Sequence, residues 1–325
     1  MSGAVPAEWT PDMQVAKGHT YRGVLFILLA LLFLAAHDAT AKYLAQRFPL
    51  PLLIWARFTL QCLLVVIFLA PSRRMQLFNT RSLRIQITRS LLILGVSLFL
   101  LSALRTMPLA ETTAIFLISP FLLALIAGRT LGEQVGLKRW LVIIIGFCGA
   151  LLIARPGGAL STAGVLLALG AALCSALYQM QTRQLSMTDG PLTTLIYTAL
   201  GGTVALSLSL PWFWPEHLPN AGDAMLIALL GLFGTVGHLL MIHAFRHAPA
   251  SVLAPLNYGH LFWATLLGWL IFGQLPDAWS YLGMAIIAGS GLLLIASNWQ
   301  SHPPFPPKVL IGAPFPQFTE DGREV

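Results

Sequence analysis

Three ionisable side chains, Asp38, Lys42 and Arg57, fall inside stretches that are otherwise almost free of charge. Asp38 and Lys42 stand at i and i+4 with the acid first, the order that pairs favourably along a helix. Read as helices, the two segments place Asp38 and Arg57 each about seven residues from the same end, roughly 10 Å deep at 1.5 Å per residue. A cluster of this kind carries a surplus positive charge. It suits a substrate carboxylate, with Asp38 as a proton acceptor, and its rival reading is an ion pair that serves only the fold.

A second group collects further along the chain. His238 and Asn257 lie at matching depth from the opposite end of their segments, and Tyr178 and Gln179 approach from a third segment. Tyr258, His260 and Trp263 extend the polar and aromatic character, with Asn257 and His260 three apart on one helical face. Pro255 upstream frees backbone carbonyls that a regular helix would use. Any one of these is ordinary packing; together they read as the lining of a cavity for an aromatic or amphipathic small molecule.

The elements that must hold these groups follow from composition. Of 325 residues, 57% are apolar and only 10% charged, whereas an ordinary soluble domain is about one quarter charged. At about 20 apolar residues per bilayer crossing, the chain divides into spans near 21–45, 50–70, 85–104, 111–128, 137–154, 162–186, 190–211, 223–246, 248–271 and 277–297. The runs are continuously apolar, without the alternation of a lipid-facing strand, so the fold class is an all-α integral membrane protein. Ala39-Thr40-Ala41 imitates a signal cleavage site, but the apolar run before it is too long, and this span is expected to be retained.

The net charge of +7 would suit a nucleic-acid partner in a soluble protein, yet here its placement reports topology. The side holding the amino end collects 14 of the 19 Lys and Arg residues, the opposite side 4, and Arg57 lies within a span. Lys and Arg accumulate on the cytoplasmic side, which predicts a multi-pass protein of the inner (plasma) membrane with both termini cytoplasmic. The partners expected are a small-molecule substrate and the lipid bilayer, with proton coupling through Asp38 and no nucleic acid. Cys62, Cys148 and Cys174 show no metal-ligand spacing and read as small buried hydrophobes. No metal, cofactor or catalytic group is expected, and the protein is not read as an enzyme.

An offset of 141 residues brings separate features into register. Gly23-Val24-Leu25 meets Gly164-Val165-Leu166, Lys42 meets Arg183, Ala103-x-Arg105-x-x-Pro108 meets Ala244-x-Arg246-x-x-Pro249, and Gly132-Glu133 meets Gly273-Gln274. Five spans per half is an odd number, so the halves are inverted repeats, an arrangement that gives carriers two exchangeable states around one central site. The same offset sets Asp38 on Gln179, Arg57 on Thr198, Phe116 on Asn257 and Leu117 on Tyr258. Glycines and prolines repeat while polar groups differ, as a site for an asymmetric small molecule requires.

The two five-span halves, the Ala-x-Arg-x-x-Pro junctions, Leu131-Gly132-Glu133, His37-Asp38-Ala39-x-x-Lys42 and Trp55-x-Arg57-Phe58 resemble the drug/metabolite transporter superfamily, in particular its ten-helix EamA-type exporters. Gln274 departs from the glutamate usual there. The resemblance covers 21–297 and implies a polar segment at 1–20, repeats at 21–155 and 162–297, and a proline-rich cytoplasmic tail at 298–325. It further implies a secondary transporter working by alternating access. Export of amino acids or related zwitterionic and amphipathic compounds is the reading preferred from sequence. Its rivals are uptake of a vitamin, nucleoside-like compound or carboxylate, and, from another class, a membrane-embedded lipid-modifying enzyme. A channel finds no support in the absence of any ring of like charges.

Arg89, near the inner end of its span, is expected to snorkel, and Arg105 and Arg246 to cap helix ends. The topology predicts that an impermeant thiol reagent applied outside the cell labels a cysteine placed at Glu216 and spares one at Arg81. The reverse pattern would invert the assignment.

Overall fold

Inside hydrocarbon a backbone amide finds no water, so each apolar run must close its own hydrogen bonds. The computed structural model, which describes residues 13–69, 80–130, 137–155, 160–185, 188–214, 218–248, 250–253 and 255–301, meets this demand with helices and no strand among those residues. They are α1 (Met13–Leu44), α2 (Leu50–Leu69), α3 (Leu83–Thr106), α4 (Leu109–Phe116), α5 (Ser119–Thr130), α6 (Leu137–Ala154), α7 (Thr162–Leu185), α8 (Pro191–Ser209), α9 (Ala221–His247), α10 (Ala250–Leu253), α11 (Gly259–Phe272) and α12 (Ala278–Ser301). Short 3-10 turns follow α8 (Leu210–Phe213) and α10 (Pro255–Tyr258). Seven segments are long and apolar enough to cross a membrane, α4 and α5 counting as one, and Trp140–Ala154 and Ala278–Leu294 are shorter apolar helices. With α10 and α11 in the place of the remaining expected span, the described residues supply ten crossing elements. Below, the near face is where α1 begins and the far face is where it ends.

Two expected spans are broken rather than continuous. The run 111–128 parts into α4 and α5 around Leu117-Ile118, and 248–271 parts into α10, a 3-10 turn and α11. Pro120 explains the first break: it has no N–H to give to the Phe116 carbonyl, and its ring crowds that carbonyl. Pro255, which opens the 3-10 turn of the second break, likewise has no N–H to give. Under the offset Ile118 falls on Gly259, so both halves break at one place. Elsewhere α1 begins earlier than expected, at Met13, and α12 runs on to Ser301. The expectations for Glu133, Glu216, Pro249 and the tail beyond Ser301 lie outside the described residues, and the cap expected of Arg246 concerns a side chain outside them.

The packing has two-fold character. α1 packs on α9 as α3 packs on α7, α2 on α9 as α3 on α8, and α1 on α11 as α4 and α5 on α7, while α2 meets α8 and α6 meets α12 across the pseudo-axis. Close approach is repeated too. A Cβ on Gly23 would stand 2.5 Å from that of Ala248, and one on Gly164 would stand 2.6 Å from Met107 Cγ. Because 23 and 164, and 107 and 248, are offset equivalents, the same small-residue crossing serves each half. Leu63, Ile67, Leu151, Leu208 and Leu270 remain exposed on the outside of the bundle, the surface a bilayer covers.

Polar ties hold the loop ends. At the far face Arg47 Nη1 meets Asp223 Oδ1 at 3.2 Å, Arg155 pairs with Asp277, and Asn220 caps α9 by accepting from the Asp223 amide at 2.8 Å. At the near face Asp189, between α7 and α8, accepts from Thr80 Oγ1 (2.5 Å), Gln86 Nε2 (2.8 Å) and the Arg81 amide (3.3 Å). Burial pushes the Asp189 carboxyl up, but these bonds outweigh it and hold it below the usual carboxylate range. Its stabilisation is therefore complete above the unfolded value of about 3.9 and is lost as pH falls through the lower folded value. Asp189→Asn should cost about 1–3 kcal/mol at pH 7, and the gap in unfolding midpoint in detergent should close as the pH is taken below about 4.

Candidate functional site

A cavity of about 340 Å³ lies between the two halves, midway along the helices, within the range of small-ligand pockets, about 300–1,000 Å³. Its walls are apolar, from Leu31, Leu34, Leu53, Ile54, Leu100 and Phe116 among others. Both helix breaks face it: Leu117, Ser119 and Pro120 line it from the first half, and Asn257 and His260 from the second. Interrupted helices in corresponding positions of two repeats are where a carrier's site is built, because unwound backbone survives at membrane depth only against protein or a cavity.

The polar groups enter from separate elements. Asp38 on α1 and His260 at the start of α11 approach to 3.5 Å between Oδ2 and Nε2, an ion-pair distance when the imidazole is protonated. Arg57 on α2 donates from Nη1 to Ser97 Oγ on α3 at 3.1 Å, and its charge reaches Asp38, His37 and His238. His37 Nδ1 meets the Leu230 carbonyl of α9 at 2.9 Å. Arg57 Nε and His260 Nε2 are buried without a hydrogen-bond partner, a cost that a bound polar group would relieve.

On the opposite wall, Gln179 Nε2 donates to Ser175 Oγ at 3.1 Å, and Tyr178 presents its ring to the cavity while its hydroxyl accepts from Arg89 Nη2 at 2.5 Å. Arg89 does not snorkel as expected. It is 4% exposed and donates to Thr182 Oγ1 (2.7 Å), the Thr194 carbonyl (3.1 Å) and Thr198 Oγ1 (2.6 Å), with its guanidinium 4.3 Å from the Tyr178 ring centre. Three threonines and a tyrosine on α7 and α8 make the inward position cheaper than the interface.

The two groups anticipated as separate therefore meet in one space. Asp38, Arg57, Tyr178, Gln179, His238, Asn257 and His260 all line the cavity, and three expected residues do not. Lys42 is turned to the end of α3, donating to the carbonyls of Leu104 (2.8 Å) and Met107, with Phe272 5.4 Å from its ammonium. It does there what was expected of Arg105, whose side chain is exposed. Tyr258 packs against the α6–α12 core, with its hydroxyl against Gly291, where a Cβ would find no room. Trp263 packs with the α1–α9 residues and edge-on to Phe262 at 5.2 Å.

Residues not anticipated are His37, Ser97, Ser119 and Ser175. His37 was legible, since it adjoins Asp38 and falls on Tyr178 under the offset; the serines carry no signal apart from tertiary contact. Buried Glu111 at the start of α4, with Oε2 unpartnered, is a second acid within a span besides Asp38.

Two interlocked five-span halves around a mid-membrane cavity define a membrane carrier. The EamA-like transporter family model matches residues 21–155 and again 162–297, so the chain belongs to that family, within the drug/metabolite transporter superfamily, and is a transporter of small metabolites. The riboflavin transporter of Vibrio cholerae is 30% identical over 295 residues, 88% of this chain and 96% of its own length. The S-adenosylmethionine uptake transporter of Rickettsia bellii is 24% identical over 276 residues, 85% of this chain and 94% of its own. A solved crystal structure shares the fold with a TM-score of 0.60 at 20% identity, covering 87% of this chain and 97% of its own.

Neighbouring residues with different surroundings give a test. Asn257→Ala should change the ranking of transported compounds, because deleting a hydrogen-bonding group penalises only the substrates that used it. Tyr258→Phe should leave that ranking unchanged, its hydroxyl lying outside the cavity. Competition profiles over a panel of small metabolites check both.

Proposed function

We propose that the protein takes up a flat nitrogen heterocycle bearing a hydrophilic chain, of the riboflavin or nucleoside-like class, across the bacterial inner membrane by alternating access. The observation that carries this reading is the cavity itself: apolar walls broad enough for a ring, with a carboxylate, a guanidinium, three imidazoles and two amides at its edges, none repeated between the halves. Two relatives support it by name, since riboflavin and S-adenosylmethionine both pair a flat heterocycle with a polar chain. Tyr178 and Phe116 stack on the ring, and Asn257, Gln179 and His238 read its polar edge. Asp38 and His260 hold the coupling proton. The near face, rich in Lys and Arg, is cytoplasmic.

Export of an amino acid is the second reading. The buried, unpartnered Nε of Arg57 favours it, because guanidinium is the group that grips a carboxylate.

Expression in a riboflavin-auxotrophic bacterium separates the two. Uptake of labelled riboflavin or a nucleoside-like competitor, reduced at least tenfold by Asn257→Ala or His238→Ala at unchanged membrane level, is the expected result. Resistance to toxic amino-acid analogues with no heterocycle uptake would replace this reading with the second. Asp38→Asn should abolish accumulation driven by a pH gradient while leaving equilibrium exchange of substrate.

A further inference from the structure

The two faces are not equally closed. Toward the far face α1 and α2 pack on α3, whereas among the described residues the equivalent pairs, α7 and α8 on α9, barely meet. Ala41, Leu53, Leu101 and Leu104, at the far end of the cavity, are buried, while Tyr178, Gln179 and Met241 toward the near face keep exposed surface. The far face is the closed one.

The contact that closes it is local. Lys42, 5% exposed on α1, donates to the carbonyls of Leu104 at 2.8 Å and Met107 at the end of α3, and Gln46 adds a bond to the Arg105 carbonyl at 3.0 Å. Carbonyls at a helix end have no intrahelical partner and carry partial negative charge, so a cation is held there by both hydrogen bonds and the helix dipole. Pro108 stops the helix and leaves them free. The charge of Glu111 on α4 also reaches the ammonium.

The repeat carries this arrangement to the other face. Lys42 corresponds to Arg183 on α7, and Leu104 and Met107 correspond to Phe245 and Ala248 at the near-face end of α9, where Pro249 repeats Pro108. Among cations within the spans, Arg57 and Arg89 fall on Thr198 and Leu230 and so are not repeated. A cation retained opposite a retained helix end, where the chemistry of the cavity is not retained, points to a task that both halves perform in turn.

We propose that Lys42 and Arg183 are alternating latches: Lys42 holds the far face shut by capping α3, and in the opposite state Arg183 holds the near face shut by capping α9. The proposal rests on alternating access but not on the identity of the substrate. Its test is made without substrate, in a background with Cys62, Cys148 and Cys174 replaced by alanine, using an impermeant thiol reagent on sealed vesicles of each orientation. Single cysteines at Leu53 and Met241 report the far and near ends of the cavity. Lys42→Met should raise far-face labelling of Leu53→Cys roughly tenfold, as loss of a charge-assisted hydrogen bond shifts a two-state balance, and lower near-face labelling of Met241→Cys. Arg183→Met should do the reverse, and Lys42→Arg should keep the parent pattern. Unchanged labelling in Lys42→Met at normal membrane level, or a shift of both methionine variants in one direction, overturns the proposal. If Lys42→Met does not insert, Arg183→Met decides: far-face labelling of Leu53→Cys must fall, and no change or a rise is fatal. Because no transport is measured, failure of the riboflavin-class reading leaves this result standing.

Discussion

Hydrocarbon supplies no hydrogen bonds, and every feature of this protein answers to that. The constraint makes each apolar run a helix and turns Arg89 inward to three threonines and a tyrosine rather than outward to lipid. It also explains why the two helix breaks sit where they do. A proline that frees a carbonyl at membrane depth is tolerable only where the carbonyl meets protein or a cavity, and both breaks border the same cavity. The space between the halves is thus where irregular backbone is permitted, and polar side chains gather there for the same reason.

Duplication then separates scaffold from chemistry. Small-residue crossings recur at Gly23 with Ala248 and Gly164 with Met107, and the sequence repeats Pro108 as Pro249, because two duplicated halves pack alike. The cavity's polar groups break that symmetry: Asp38 answers to Gln179, His37 to Tyr178 and Arg57 to Thr198. Lys42 is instructive because it looks like a member of the asymmetric cluster and behaves as scaffold. Its four-residue spacing from Asp38 is sound helix geometry, yet the carbonyls at the end of α3 are the stronger attraction, being several, fixed and beyond the reach of the helix's own amides.

Composition and spacing alone determined the all-helical membrane class, the crossing segments and the 141-residue repeat, because a bilayer imposes length and apolarity on each helix independently of its neighbours. The repeat also made Asp38, Arg57 and Asn257 visible as polar exceptions to the symmetry, and His238 stood out as a polar group within an apolar run. Which of them share a space was a matter for tertiary structure alone. Depth along a helix is a one-dimensional quantity, and it placed Asp38 and His260 in different clusters; the bend at Pro255 and the packing of α1 beside α11 bring them to 3.5 Å. Rotation about the helix axis decided the remainder: Asn257 faces the cavity and Tyr258, one residue on, faces Gly291. Among apolar neighbours on every side, an all-round apolar helix carries no pattern that says which way it turns, so only the fit of its side chains against the other helices settles it.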